Sequence, residues 1–258
     1  MSNNQNLKDV LESFRSGDIT LQEAETQISG LRLDIVGDYA RIDSGRSVRC
    51  GIPEVVLAEN KDTDHLLEIV EAMVTGNGRC IASRVLDFQA GELEKLCKRL
   101  GYEFTYNPKG RTFVASRVPP PEKTGGIVGI VTAGTSDIRV AEEARVIAEE
   151  MGCVVKTAYD VGAAGIHRLF PVIKDLLDVH AFVVCAGREG TLPTVIAGLV
   201  DKPVVGVPVS VGYGFMGEGQ AALASMLQSC AVLTVVNIDA GFTAGAYAAR
   251  IANQVVLK

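Results

Sequence analysis

Tryptophan is absent and aromatic residues make up only 5% of the 258 residues, so the chain lacks the stacking platforms that hold single-stranded nucleic acid. Basic residues are not in excess either. Lys and Arg number 25 against 31 Asp and Glu, a formal net charge of −6, which disfavours a nucleic-acid partner. Histidine occurs three times, and the six cysteines, at 50, 80, 97, 153, 185 and 230, include no C-x-x-C pair. Their long, irregular gaps argue against a zinc site or a disulfide framework. No segment approaches the roughly 18 to 20 apolar residues needed to span a bilayer, so no membrane partner is expected. The opening residues 1–8 are polar and carry no apolar signal core, which points to the cytoplasm. No G-x-x-x-x-G-K-[ST] loop occurs, so no ATP is expected in the chemistry.

What is present is ample apolar material, 47%, for a core, and 27 glycines that cluster in the second half, as backbone-lined ligand loops would require. The chain opens with two helical patterns. Leu7, Val10, Leu11 and Phe14 recur at helical spacing and stop at Gly17; Thr20 with Glu23 then makes a capping-box signature ahead of Leu21, Ala24, Ile28 and Leu31. Strand-like Val55-Val56-Leu57 precedes a helix from about Thr63. Cys80-Ile81-Ala82 reads as a buried strand, and Leu93, Leu96, Cys97 and Leu100 as a helix ended by Gly101. Alternating stretches at 102–106 and 111–116 flank the turn Asn107-Pro108-Lys109-Gly110. Residues 1–117 are thus a small α+β domain, and the Pro- and Gly-rich residues 118–126 a linker.

From 127 to 258 the pattern becomes regular alternation. Apolar, β-branched runs at 127–132, 154–158, 181–186, 204–207 and 232–238 are separated by helical stretches at 138–151, 166–177, 192–200, 221–228 and 244–254. Continuous apolar strands alternating with helices predict α/β architecture, a flavodoxin-like doubly wound parallel sheet with ligands beyond the carboxyl ends of its strands.

The four loops at those ends carry the candidate chemistry. Ala133-Gly134-Thr135-Ser136-Asp137 opens into a helix and suits an anion, or simply caps the helix. The loop from Asp160 ends in His167-Arg168, a proton carrier beside an anion-binding fork, or a surface pair without a role. Gly187-Arg188-Glu189 offers a general base or metal ligand, or a solvated turn residue. Residues 208–219 hold four glycines with Tyr213, Phe215 and Met216, a composition suited to a binding lid. Cys97, Cys153 and Cys185 fall in apolar patterns and read as core, whereas Cys50 and Cys80 are ambiguous. Cys230 lies just before the last strand, at the sheet edge opposite the ligands. It reaches a site only through an irregular connection or in another subunit, and on its own it reads as structural.

In order, Gly134-Thr135-Ser136-Asp137, His167-Arg168, Ala186-Gly187 with Leu192-Pro193, and Val205-Gly206-Val207-Pro208-Val209 resemble the aminoimidazole ribonucleotide carboxylase/mutase (PurE) family over about residues 126–258. Two departures stand out. Where that family has a histidine after the third strand this chain reads Glu189-Gly190-Thr191, and the N-terminal hundred-odd residues have no counterpart there. That N-terminal part contains Asp43-Ser44-Gly45-Arg46-Ser47-Val48-Arg49-Cys50-Gly51-Ile52-Pro53-Glu54-Val55-Val56, with Lys61 after it. Together with the segments 160–168, 189–193, 209–214, 229–231 and 236–239, it is similar to the LarB family over nearly the whole chain.

That resemblance implies the first step of nickel-pincer nucleotide cofactor synthesis. The pyridinium ring of nicotinic acid adenine dinucleotide would be carboxylated and the phosphoanhydride hydrolysed, giving AMP and pyridinium-3,5-biscarboxylic acid mononucleotide. It implies Cys230 as a covalent nucleophile with Glu189 and His167 as catalytic partners. Gly134, Thr135, Ser136, Asp137, Arg168, Gly187, Ser210, Tyr213, Asn237 and Asp239 would bind substrate, and Arg46 and Arg49 would clamp the adenylate half unless they pair with Glu54 or other carboxylates. Carbon dioxide or bicarbonate would be co-substrate, Mg²⁺ a cofactor with Glu189 as candidate ligand, and the assembly a homo-oligomer, an octamer on the PurE pattern, with shared sites. The alternatives are a purine-pathway carboxylase/mutase and a noncatalytic nucleotide-binding module.

Overall fold

The computed structural model describes residues 7–212 and 214–256. The chain divides into two compact units, Met1–Tyr106 with Phe113–Pro119, and Asn107–Thr112 with Pro120–Lys258.

The first unit begins with α1 (Leu7–Ser16) and α2 (Leu21–Gly30). The expected capping box forms: the Glu23 amide donates to Thr20 Oγ1 at 3.2 Å while Glu23 Oε2 accepts from the Thr20 amide at 2.7 Å. A short antiparallel pair follows, β1 (Asp34–Val36) with β2 (Ala40–Ile42), and then α3 (Arg46–Cys50). The 43–56 motif is therefore built around a short helix between two sheets. Next come β3 (Val55–Leu57), α4 (Thr63–Asn77), β4 (Arg79–Ser83), α5 (Asp87–Leu100), β5 (Glu103–Asn107) and β6 (Thr112–Ser116), with the second sheet ordered β3-β4-β6-β5. Leu66, Val70, Met73, Leu93 and Phe113 fill its core. The alternation expected of residues 111–116 is not observed: all five residues of β6 are buried because β6 is an inner strand, whereas β5, at the sheet edge, keeps exposed positions.

The second unit carries β7 (Ile127–Thr132), α6 (Ile138–Glu150), β8 (Val154–Ala158), α7 (Leu169–Asp175), β9 (Ala181–Ala186), α8 (Thr191–Ala197), β10 (Val204–Pro208), α9 (Gln220–Leu227), β11 (Thr234–Val235) and α10 (Gly241–Val256). Its five strands are ordered β11-β10-β9-β7-β8, all parallel, which is the flavodoxin-like doubly wound arrangement. Every residue of the central strands β9 and β10 is buried, as expected for a sheet covered on both faces. Gly129 of β7 sits opposite Phe182 of β9, and a Cβ there would meet the ring at 3.0 Å. The last strand is shorter than the apolar run 232–238 suggests. It is an edge strand; Val232 is 96% exposed, and the chain leaves the ladder after the Val236 amide bonds Gly206 O. Helices α6 and α10 pack backbone to backbone, with Gly241 against Val140 O and Gly245 against Ala144 O, where no Cβ has room. Among the described residues no helix is long and apolar enough to cross a membrane.

Candidate active site

The strand order puts the switch point between β7 and β9, where successive helices leave to opposite faces. The loops leaving β7, β9, β10 and β11 meet at this edge around two carboxylates, Asp137 and Asp239. Asp137, 2% exposed, ends the 3₁₀ turn Thr135–Asp137, and its Oδ2 accepts the Gly134 amide at 2.8 Å. Its Oδ1 faces Gly187 of the loop after β9, where an added Cβ would stand 3.3 Å from it, while the Ala133 amide bonds Cys185 O at 3.0 Å. Burial pushes the Asp137 carboxyl up to about 6, the backbone amides around it, Gly134 foremost, pull the other way, and the neighbouring Asp239 carboxylate adds to the rise. Asp239, in a left-handed conformation at φ 55, accepts the Ser210 amide at 2.9 Å through Oδ1 and bonds the Ser210 hydroxyl through Oδ2. Its own amide reaches Pro208 O at 2.9 Å, and Arg139 of α6 stands 3.5 Å from Oδ2.

Other expected residues face outward. Thr135 and Ser136 are exposed on the 3₁₀ turn, and Asn237 is exposed with its Oδ1 accepting the Ile238 amide. His167 and Arg168 end a second 3₁₀ stretch, Ala163–Arg168, and both are exposed. Arg168 folds back onto its own loop, with Nη1 2.9 Å from Asp160 Oδ2. Glu189 sits on a tight turn in which the Gly190 amide bonds Gly187 O at 2.9 Å; its side chain is 66% exposed, with Arg188 Nε 4.0 Å away. Arg188, Glu189, Gly212, Phe215 and Met216 help to line a cleft of about 220 Å³. The loop bounding it is held in an unusual backbone: Met216 and Glu218 have positive φ alongside Gly214 and Gly219, and Phe215 at its tip is 94% exposed. Tyr213, expected to bind substrate, lies outside the described residues.

The cysteines separate clearly. Cys80, Cys97, Cys153 and Cys185 are buried, and burial pushes all four thiols up, Cys97 and Cys153 to about 11. A thiol at that value is ionised in only about one molecule in 10⁴ at pH 7, too little for a nucleophile. Cys50 and Cys230 are exposed. Cys230 follows α9 and precedes β11, whose first residue Thr234 pairs with Val205 near the amino end of β10. It therefore lies toward the sheet edge opposite the loops, and one chain does not bring it to them. Leu227, 66% exposed, and Val232 flank it, and Thr194 Oγ1 donates to the adjacent Ser229 Oγ at 2.8 Å.

In the first unit, Arg46 pairs with Glu54 at 2.8 Å, while Arg49 bonds Asp43 and the Gly30 carbonyl. Both guanidinium groups are thereby tied into the motif itself. Among the described residues no group of three His, Cys, Asp or Glu side chains is arranged to hold a metal. Asp137 and Asp239 are occupied by loop groups, which leaves Glu189, a single carboxylate beside a guanidinium, as a poor cation site. Sequence reasoning missed Arg139 and Arg188. Arg139 reaches a partner one hundred positions away, for which the sequence carries no local signal, while Arg188 is the immediate neighbour of a residue already singled out.

Residues 34–117 match the family model of the LarB/PurE-like N-terminal domain, and residues 127–256 that of AIR carboxylase. An uncharacterised protein of Methanocaldococcus jannaschii is 43% identical over 252 residues, covering 96% of this chain and 97% of its own. The N5-carboxyaminoimidazole ribonucleotide mutase of the same organism is 31% identical over 130 residues, 48% of this chain and 78% of its own. A probable N5-carboxyaminoimidazole ribonucleotide mutase of Methanothermobacter thermautotrophicus is 32% identical over 130 residues, 37% of its length.

Proposed function

Because the chain belongs to the LarB family, with a LarB/PurE-like N-terminal domain joined to an AIR carboxylase domain, we propose that it carboxylates a pyridinium ring within a dinucleotide. The substrate of this reading is nicotinic acid adenine dinucleotide, and the products are AMP and pyridinium-3,5-biscarboxylic acid mononucleotide. The observation that carries it is an exposed thiol, Cys230, on a carboxylase-type domain whose other cysteines are buried and inert.

A pyridinium cation is electron-poor and does not attack carbon dioxide. Addition of the Cys230 thiolate to a ring carbon ortho or para to the nitrogen forms a C–S bond and neutralises the ring nitrogen. The resulting dihydropyridine is an enamine, with electron density on the carbon meta to the nitrogen, which bonds carbon dioxide. Loss of the proton from that carbon, and departure of the thiolate with its bonding pair, restores the aromatic cation. Sulfur serves both steps as a good nucleophile and a good leaving group. Glu189 is proposed to take the ring proton, with the exposed hydroxyls of Thr135 and Ser136 on the mononucleotide phosphate and His167 beside the ring.

The position of Cys230 favours a shared site in this reading. The thiol of one copy, framed by the exposed Leu227 and Val232, meets the carboxyl-edge loops of a second copy in a homo-oligomer. Incubation with nicotinic acid adenine dinucleotide, bicarbonate and Mg²⁺, followed by mass spectrometry, tests the function; AMP and a carboxylated pyridinium are expected, and unchanged substrate rejects it. The relatives named as N5-carboxyaminoimidazole ribonucleotide mutases support a second reading, and turnover of that nucleotide in a parallel assay would select it.

A further inference from the structure

The cations at the carboxyl edge are not held alike. Arg168 is fixed by Asp160 at 2.9 Å, much as Arg46 of the first unit is fixed by Glu54 at 2.8 Å. Arg139, in the first turn of α6, stands 3.5 Å from Asp239 Oδ2, the outer limit of a hydrogen bond, and its guanidinium makes no other contact among the described residues. Nor does Asp239 depend on it, since Ser210 donates its amide to Oδ1 at 2.9 Å and its hydroxyl to Oδ2. Most of the guanidinium's N–H donors are therefore unspent, on a side chain 42% exposed.

Its place in the chain matters as much. The turn Thr135–Asp137 runs without a break into α6, with Asp137 and Ile138 both in the right-handed helical conformation. Arg139 is the i+4 neighbour of Thr135 and the i+3 neighbour of Ser136, so its side chain shares a face with both exposed hydroxyls. Through Asp239 and Ser210 that face meets the loops after β11 and β10. Two hydroxyls beside a planar fork of N–H groups match the oxygens of a phosphate. Asp160, Glu189 and Asp239 lie in loops at the same edge, so an anion entering it needs a cation at hand.

We infer that Arg139 is a substrate-binding residue: its guanidinium forks onto the phosphate of the pyridinium mononucleotide half, beside Thr135 and Ser136. The identity of that nucleotide rests on the carboxylase reading; the preference for phosphate does not. A residue that only balanced Asp239 would not tell a nucleotide from its nucleoside.

Calorimetric titration with nicotinic acid mononucleotide and with its phosphate-free riboside makes that distinction. In Arg139→Gln, affinity for the mononucleotide should fall about tenfold or more, while that for the riboside stays within about twofold. Arg139→Lys, which keeps the charge but not the fork, should recover part of the loss. AMP should bind both variants as it binds wild type. If the glutamine variant does not purify, the lysine variant against wild type carries the same comparison. Equal losses for nucleotide and riboside, no loss for either, a loss confined to AMP, or a wild type that does not bind the mononucleotide would each overturn the inference. A wild type that binds the mononucleotide yet forms no carboxylated pyridinium from the dinucleotide would reject the functional reading, while the nucleotide-to-riboside ratio would still decide the role of Arg139.

Discussion

Two sets of polar residues in this molecule look equally functional as sequence, and the structure treats them differently. In the 43–56 motif of the first unit the charged side chains satisfy one another: Arg46 with Glu54, and Arg49 with Asp43 and Gly30 O, while the Ser44 hydroxyl bonds Asp34. At the carboxyl edge of the second unit the work is divided. Asp137, Asp239 and Ser210 are spent on loop backbone and each other, whereas Thr135, Ser136, His167, Glu189 and Asn237 stay exposed. Residue type alone does not distinguish a group that meets substrate from one that holds such a group in place. Partners and burial do.

The sharpest break of that contrast is expected at the thiol. Cys230→Ser should cost carboxylation about 10³-fold or more while circular dichroism and AMP titration stay at wild-type values, because the side chain is exposed. An active serine variant would return Cys230 to a packing role. Glu189→Gln follows, with kcat expected to drop about 10²- to 10⁴-fold at unchanged melting temperature. Loss of stability instead would move Glu189 into the holding class.

Asp137→Asn sharpens the comparison through pH. The folded carboxyl titrates at about 6 against an ordinary 3.8, so the folded chain binds the proton more tightly than the unfolded one. The stability this contributes is fully present below about 3.8 and is lost as pH rises through about 6. Urea unfolding should therefore show Asp137→Asn gaining on wild type by up to about 3 kcal/mol between pH 4 and 7. A difference independent of pH would mean that the carboxyl is not buried as described. Gly187→Ala should lower stability by about 1–3 kcal/mol, since the new methyl would crowd Val211 O at 2.9 Å, Asp137 Oδ1 at 3.3 Å and Val209 O at 3.4 Å. The smallest effect is expected from Arg49→Ala, about 1 kcal/mol or less for a half-exposed pair, measured by the same unfolding curves. If KM for the dinucleotide rises as well, the first unit also contributes a substrate clamp.

Much of the fold was legible because it depends on local pattern. The apolar runs at 127–132, 154–158 and 181–186 coincide with β7, β8 and β9, and Thr20 with Glu23 makes its capping box. The pair β1 and β2 was not legible, since three-residue strands leave too short an alternation, and β11 is shorter than its apolar run because it is an edge strand paired with β10 alone, over two residues. At the site, the loops were readable from glycine and their position after strands. The burial of Asp137 was not, because it depends on Gly187, fifty positions away, lacking a side chain. Nor does one chain's sequence say which copy of Cys230 faces which loops, since that is a property of assembly.

The seam between α6 and α10 has one more consequence. Asp137 immediately precedes α6, and Asp239 stands two residues before α10. Because Gly241 and Gly245 let these helices touch along their main chains, the spacing of the two acids is set like the gauge of a rail, by rigid ties laid before any cargo arrives. Thickening that seam with a methyl group would spread the gauge and disarm the catalyst from a place no substrate ever visits.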